Sequence, residues 1–145
     1  DEAAMRWEGE PPAEGAARAH QWIGETDTFP IHGSIDAHGG GGIVASVEAT
    51  ARAYAALIGG SVFDDPQTLG VMLAAPDHPA GSPYRMGFHA DRLDGVAVYR
   101  HAGFWGVEAL VVPEQRLVMV AAVLNQTGSA GLRELVDRLA LDWMP

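Results

Sequence analysis

The chain has 145 residues, 48% of them hydrophobic and 19% charged, which suits one globular domain with a core of its own. A formal net charge of −10 argues against a nucleic-acid partner, because phosphate binding needs a basic patch that releases counterions. No apolar run approaches the about 18 residues of a membrane-spanning helix.

The chain opens on Asp1 without a charged-then-apolar leader and is read as a processed product or a fragment. Residues 1–38 mix Gly, Pro, Ala and Glu with little periodicity, and Glu10-Pro11-Pro12 should break any helix. They are expected to form an irregular segment with at most a short strand around Ala19–Ile23. Residues 39–145 form the domain proper. Gly39-Gly40-Gly41-Gly42 leads into Ile43-Val44-Ala45 and then Ser46, whose hydroxyl can accept from a free amide of the first turn. Val47, Ala51, Tyr54, Ala55 and Ile58 follow at helical spacing, and Gly59-Gly60 supplies a left-handed stop, so a helix is predicted over 46–58. Asp65-Pro66 starts a second helix over 66–74, with Asp65 as cap and Pro66 in the first turn.

From Tyr84 the period changes to two. Tyr84, Met86 and Phe88 alternate with Arg85, Gly87 and His89, which predicts a half-buried strand, and Asp94-Gly95 is a turn pair before the next. Val107 to Val112 and Leu117 to Leu124 are nearly all apolar, so both should be covered on two faces. Ser129 is expected to cap a last helix over 129–143, with Leu132, Leu135, Val136, Leu139 and Trp143 on one face. Helices, then an antiparallel meander over 84–124, then a helix laid on the sheet make an α+β pattern.

These residues, in this order, resemble class C β-lactamase and DD-peptidase-like serine hydrolases over about 105 residues, Gly39 to Trp143. Gly41-Gly42-Ile43-Val44-Ala45-Ser46, the helix ending Leu57-Ile58-Gly59-Gly60, and Met72 are similar to the family's stretch ahead of its sheet. Tyr84-Arg85-Met86-Gly87-Phe88 is similar to its Y-x-L-G-W strand. His101-Ala102-Gly103-Phe104-Trp105-Gly106 resembles its H-x-G motif, the counterpart of K-T-G in other members. Thr50 departs from the family, which carries Asp there.

The resemblance implies acyl transfer through a serine. That chemistry needs an activated hydroxyl, a proton acceptor and donors for the oxyanion. The family takes the first two from S-x-x-K and from a Y-x-N tyrosine. This chain has no lysine, and its tyrosines are followed by Ala55-Ala56, Arg85-Met86 and Arg100-His101. By the family's layout both motifs lie upstream of Asp1. The resemblance implies catalytic parts for His101, Gly103 and Phe104, the amide of Phe104 being one oxyanion donor. It implies substrate contacts for Ala102 and Trp105. An imidazole in place of lysine is only partly charged near neutral pH, which points to an esterase or peptidase rather than an efficient β-lactamase.

No cofactor is implied. His32, Asp36 and His38 could approach a metal, but with no fourth ligand they are read as solvated loop residues. The Gly run ahead of a helix lacks the G-K-S/T that would make a phosphate loop. With no cysteine, disulfides are excluded and the compartment is left open, although the family is commonly exported. The partners expected are a small ester, amide or β-lactam and the upstream part of the same protein, with self-association in that part's absence. The other reading is a non-catalytic module that acts only by protein association.

Overall fold

In the computed structural model, the structure describes residues 5–7, 18–31, 41–75 and 82–144. Four strands form an antiparallel meander in chain order: β5 (His89–Leu93), β6 (Val96–Gly103), β7 (Val107–Val112) and β8 (Leu117–Ala122). Helix α1 (Val47–Ile58) packs on one face against β7 and β8, and α3 (Leu132–Trp143) packs on the other. The chain is therefore α+β, a sheet with a helix laid on each face.

Strand alternation sorts the sheet residues between these two layers. Val98, Leu110, Val112, Val136 and Ala140 make the buried cluster on the α3 face, joined by Leu93, Val96, Leu117 and Met119. β7 is covered on both faces, as its unbroken apolar run requires, and five of its six residues are buried. Arg100, only 3% exposed, and Glu108 are the polar exceptions in this layer. Arg100 Nε donates to Asp91 Oδ2 at 3.2 Å, and Arg100 Nη2 lies 2.5 Å from Asp137 Oδ1. That second contact is a close ion pair whose angles fall short of a hydrogen bond, and Nη1 stands 3.7 Å from Glu108. The cluster ties β5, β6 and β7 to α3.

Several expectations hold in detail. Ser46 caps α1 by accepting from the Ala49 amide at 3.1 Å. The stop is made by Gly60 at φ +75°, with Ser61 N donating to Ala56 O and Gly60 N to Leu57 O. Asp94 and Gly95 both take positive φ, 48° and 82°, which gives the two-residue turn whose twist matches its flanking strands.

Others are corrected. α2 spans Gln67–Leu73 with Pro66 at the cap position, so Asp65, the expected cap, stands one residue further out and accepts from the Gln67 amide at 2.8 Å. Tyr84–Phe88 is not a strand. Arg85 N donates to Phe88 O and Ala90 N to Pro83 O, which folds the segment into a hairpin loop with Gly87 at φ +79°. The side chains alternate in sequence, but a left-handed glycine reverses the chain where a strand would continue.

Ser129 does not cap α3. Its hydroxyl donates to Gln126 O within a 3-10 stretch, Gln126–Gly131, and the helix begins at Leu132 with Gly131 as cap. The buried stripe of α3 is Leu132, Val136 and Ala140, whereas Leu135, Leu139 and Trp143 are exposed. Val136 and Ala140 let the helix sit close to the sheet, and Leu135, Leu139 and Trp143 turn outward.

The N-terminal segment holds more structure than expected. β1 (Met5–Trp7) pairs antiparallel with β4 (Ile43–Ala45), and β2 (Trp22–Ile23) pairs with β3 (Thr26–Asp27). Glu10-Pro11-Pro12 and the first two residues of the Gly39–Gly42 run lie outside the described residues.

Candidate functional site

A cleft of about 710 Å3 opens on the α1 side of the sheet. Its walls include α1 (Thr50, Ala53, Tyr54, Leu57), the β4 segment (Gly41 to Ala45), the end of β6 and the turn after it (His101, Gly103, Phe104, Trp105), the end of β8 (Ala122 to Leu124) and part of 18–31. Of the residues expected at the site, His101, Gly103, Phe104 and Trp105 all line it. Ala102 does not, because alternation along β6 turns its side chain to the face of Arg100, where it pairs with Glu108.

The strand register explains why this edge is open. β5 pairs with β6 only as far as Arg100, opposite His89. His101, Ala102 and Gly103 continue beyond it, paired with β7 alone, opposite Ala109, Glu108 and Val107. One edge of the motif is left without a ladder partner among the described residues, which suits backbone docking of a ligand.

His101 is held in one orientation. Its Nδ1 lies 2.9 Å from the carbonyl oxygen of Gly87, and because a carbonyl only accepts, Nδ1 carries the proton. In the neutral ring Nε2 is then an acceptor. The hairpin loop that replaces the expected strand thus presents the Gly87 carbonyl to the histidine. Phe88, next along, is buried and meets Tyr54 and Tyr99 edge-on, with centroids at 5.6 and 6.1 Å. Burial raises the Tyr54 hydroxyl above its ordinary pKa.

Two glycines of the motif do different work. At Gly103 a Cβ would meet nothing closer than Val107 Cβ at 3.8 Å, so a side chain fits there. At Gly106, with φ +80°, a Cβ would lie 2.7 Å from Val123 Cγ2 and 2.8 Å from Val123 O. Gly106 O also accepts from the Val123 amide at 2.8 Å. Gly106 is required by the fold; Gly103 is not.

The remaining wall was invisible to sequence reasoning. Gln21 Nε2 donates to Trp105 O at 3.2 Å, and Trp22 N donates to Leu124 O at 2.8 Å. Asn125 Nδ2 reaches Gly24 O at 3.1 Å. These long-range bonds moor the β2–β3 hairpin beside the turn after β6 and bring Arg18, Gln21 and Thr28 to the cleft. Beside them, His20 Nδ1 lies 2.7 Å from Asp27 Oδ2, and the ring stacks on Phe29 at 4.1 Å. The Phe29 amide first, and His20 with it, hold the Asp27 carboxyl below its ordinary range.

No family model matches this chain, and neither a curated protein nor a solved structure matches it significantly. Among the described residues no group of three or more His, Cys, Asp or Glu is placed to hold a metal, and no helix is long and apolar enough to cross a membrane. His32, Asp36 and His38 lie outside the described residues.

Proposed function

We propose that the chain is the sheet-and-helix portion of a serine hydrolase similar to the class C β-lactamases, working on an ester, amide or β-lactam through an acyl-serine. The observation that carries this is the stretch His101–Gly103. It runs past the end of β5 and opens onto a cleft that Phe104 and Trp105 also line.

In this reading the acyl group of the substrate lies along the open edge of β6. Gly103 lets its backbone approach, and the Phe104 amide supports the oxyanion as it forms. His101, fixed by Gly87, presents Nε2 to the substrate or its leaving group. The nucleophile and its base come from outside this chain, because a chain without lysine cannot hold S-x-x-K. The α+β layers and the open edge beside a cleft agree with that architecture.

The first test is the reading frame ahead of Asp1, which should encode S-x-x-K and then Y-x-N; if it encodes neither, the reading fails. The second uses protein expressed from that longer frame with a fluorescent fluorophosphonate and a chromogenic β-lactam. Serine labelling is expected, and Gly103→Val should lower its rate about 10²-fold or more by blocking the edge, comparable with loss of one oxyanion donor. An unchanged rate in a folded Gly103→Val protein would remove the proposed role of this edge.

A further inference from the structure

We infer that the cleft beside β6 binds an amphiphilic monoanion, a carboxylate carried on a medium-length alkyl body, with Arg18 as the residue that selects the charge. The inference goes beyond the hydrolase reading, because holding such a ligand needs no nucleophile.

One permanent cation, Arg18, and one imidazole, His101, line the cleft, and among the described residues no carboxylate does. The Arg18 guanidinium stands 5.1 Å over the Phe29 ring. A single ring face cannot occupy all five of its N–H donors. The nearby Asp27 carboxylate is already engaged, by His20 at 2.7 Å and by the Phe29 amide at 2.9 Å. Several neutral donors of the lining are committed within the fold: Thr28 Oγ1 donates to Gln21 O, Thr50 Oγ1 to Ser46 O and Gln21 Nε2 to Trp105 O. The last of these bonds ties the segment that carries Arg18 to the turn that follows His101.

Most of the remaining wall is carbon. Ile31, Ile43, Val62, Phe104 and Leu124 line the cleft and are also exposed, an apolar rim that an alkyl body would cover. The volume of about 710 Å3 lies within the range that holds small organic ligands. The chain carries −10 overall, so the attraction is local. At contact Arg18 outweighs carboxylates that lie beyond a screening length of about 8–10 Å. A carboxylate that sheds water on entering regains hydrogen bonds from the guanidinium, whose planar fork matches its two oxygens.

The site can be read without catalysis. The 145-residue protein, titrated with hexanoate, octanoate and octanamide, should show amide NMR shifts at Arg18, Gly103 and Phe104. Octanoate should bind at least about tenfold more tightly than the neutral octanamide, the return from one hydrogen bond to a charged partner. It should also exceed hexanoate, by up to about fourfold for each added methylene. Arg18→Gln should bring octanoate down to the level of octanamide and leave octanamide unchanged. If that variant fails to fold, salt provides the second reading. Raising sodium chloride from about 10 mM to about 1 M shortens the screening length from about 30 to about 3 Å and should narrow the octanoate-to-octanamide ratio severalfold.

Octanamide binding as tightly as octanoate, a ratio indifferent to salt, equal weakening of both ligands by Arg18→Gln, or shifts confined to residues outside the cleft would each overturn the inference. The two readings fail separately. Octanoate binding as expected in a protein that no serine probe labels would sink the hydrolase and keep the anion site. A labelled serine in a protein that prefers octanamide would do the reverse.

Discussion

Gly106 and Val123 approach so closely that a single added carbon on the glycine would overlap its neighbour, with Cβ 2.7 Å from Val123 Cγ2. The contact closes the turn between β6 and β7, which carries Phe104 and Trp105, against the chain leaving β8. Gly106→Ala should cost about 2–4 kcal/mol, from the positive φ and the overlap together. Gly103→Ala should change stability by less than about 1 kcal/mol. Urea unfolding of the two variants checks this, and equal losses would contradict the division of labour between the glycines.

Arg100 is enclosed by Asp91, Glu108 and Asp137, whereas Arg133 reaches Asp91 Oδ2, at 2.5 Å, from a side chain that is 57% exposed. Removing a buried partner strands the charges around it, so Arg100→Ala should cost about 3–5 kcal/mol. Arg133→Ala should cost no more than about 1 kcal/mol, the usual worth of an exposed pair. Denaturant midpoints measured side by side would decide, and a mild Arg100→Ala would mean that the cluster is incidental to α3 docking.

The same carboxylates give stability a pH dependence with two signs. The backbone amide of Arg92 first, then Arg133 and Arg100, hold Asp91 below its ordinary value against the opposing effect of burial. Its contribution is present above the unfolded pKa of about 3.9 and lost as pH falls through the lower folded value. Burial pushes Glu108 up, opposed by Arg100. A raised acid contributes fully below its unfolded pKa, and that contribution is lost as pH rises through the folded value. Asp91→Asn should therefore flatten the acid limb of a stability profile, and Glu108→Gln should remove part of the decline in stability as pH rises above the ordinary value of 4.5. Profiles unchanged by both substitutions would refute the assignment.

Leu135, Leu139 and Trp143 form an i, i+4, i+8 row on the outer side of α3, and Trp143 is 75% exposed. The apolar strands of the sheet are largely covered, so this row is where the expected self-association should arise. Sedimentation of the chain should give a species heavier than 15.3 kDa, and Leu139→Glu should return it toward the monomer. A concentration-independent monomer would count against the expectation. Val136→Ala, on the buried side, should instead cost about 1–3 kcal/mol without affecting mass.

Much of the local structure was legible because its causes are local. Ser46 before a helical stripe, Asp94-Gly95 between alternating runs and the apolar run of β7 each carry their reason within a few residues. Tyr84–Phe88 misled because alternation is only a pattern of side chains, and the φ of Gly87 decided against a strand. The α3 stripe misled because two adjacent apolar rows share that helix, and only contact with the sheet selects between 132/136/140 and 135/139/143.

For the candidate site the division is similar. From residue types alone it followed that the sheet would be antiparallel and two-faced and that any lysine-dependent step must lie outside this chain, while only the family resemblance put His101-Ala102-Gly103 on a strand. Only the tertiary structure decided that β5 stops opposite Arg100 and leaves this stretch open, that Gly87 orients His101, and that residues 18–31 close the cleft. Those relationships join positions far apart in the chain, from 14 residues between Gly87 and His101 to 84 between Gln21 and Trp105. Periodicity reports which face a side chain takes on its own element, but the distance between elements is set by packing, which a single sequence does not spell out.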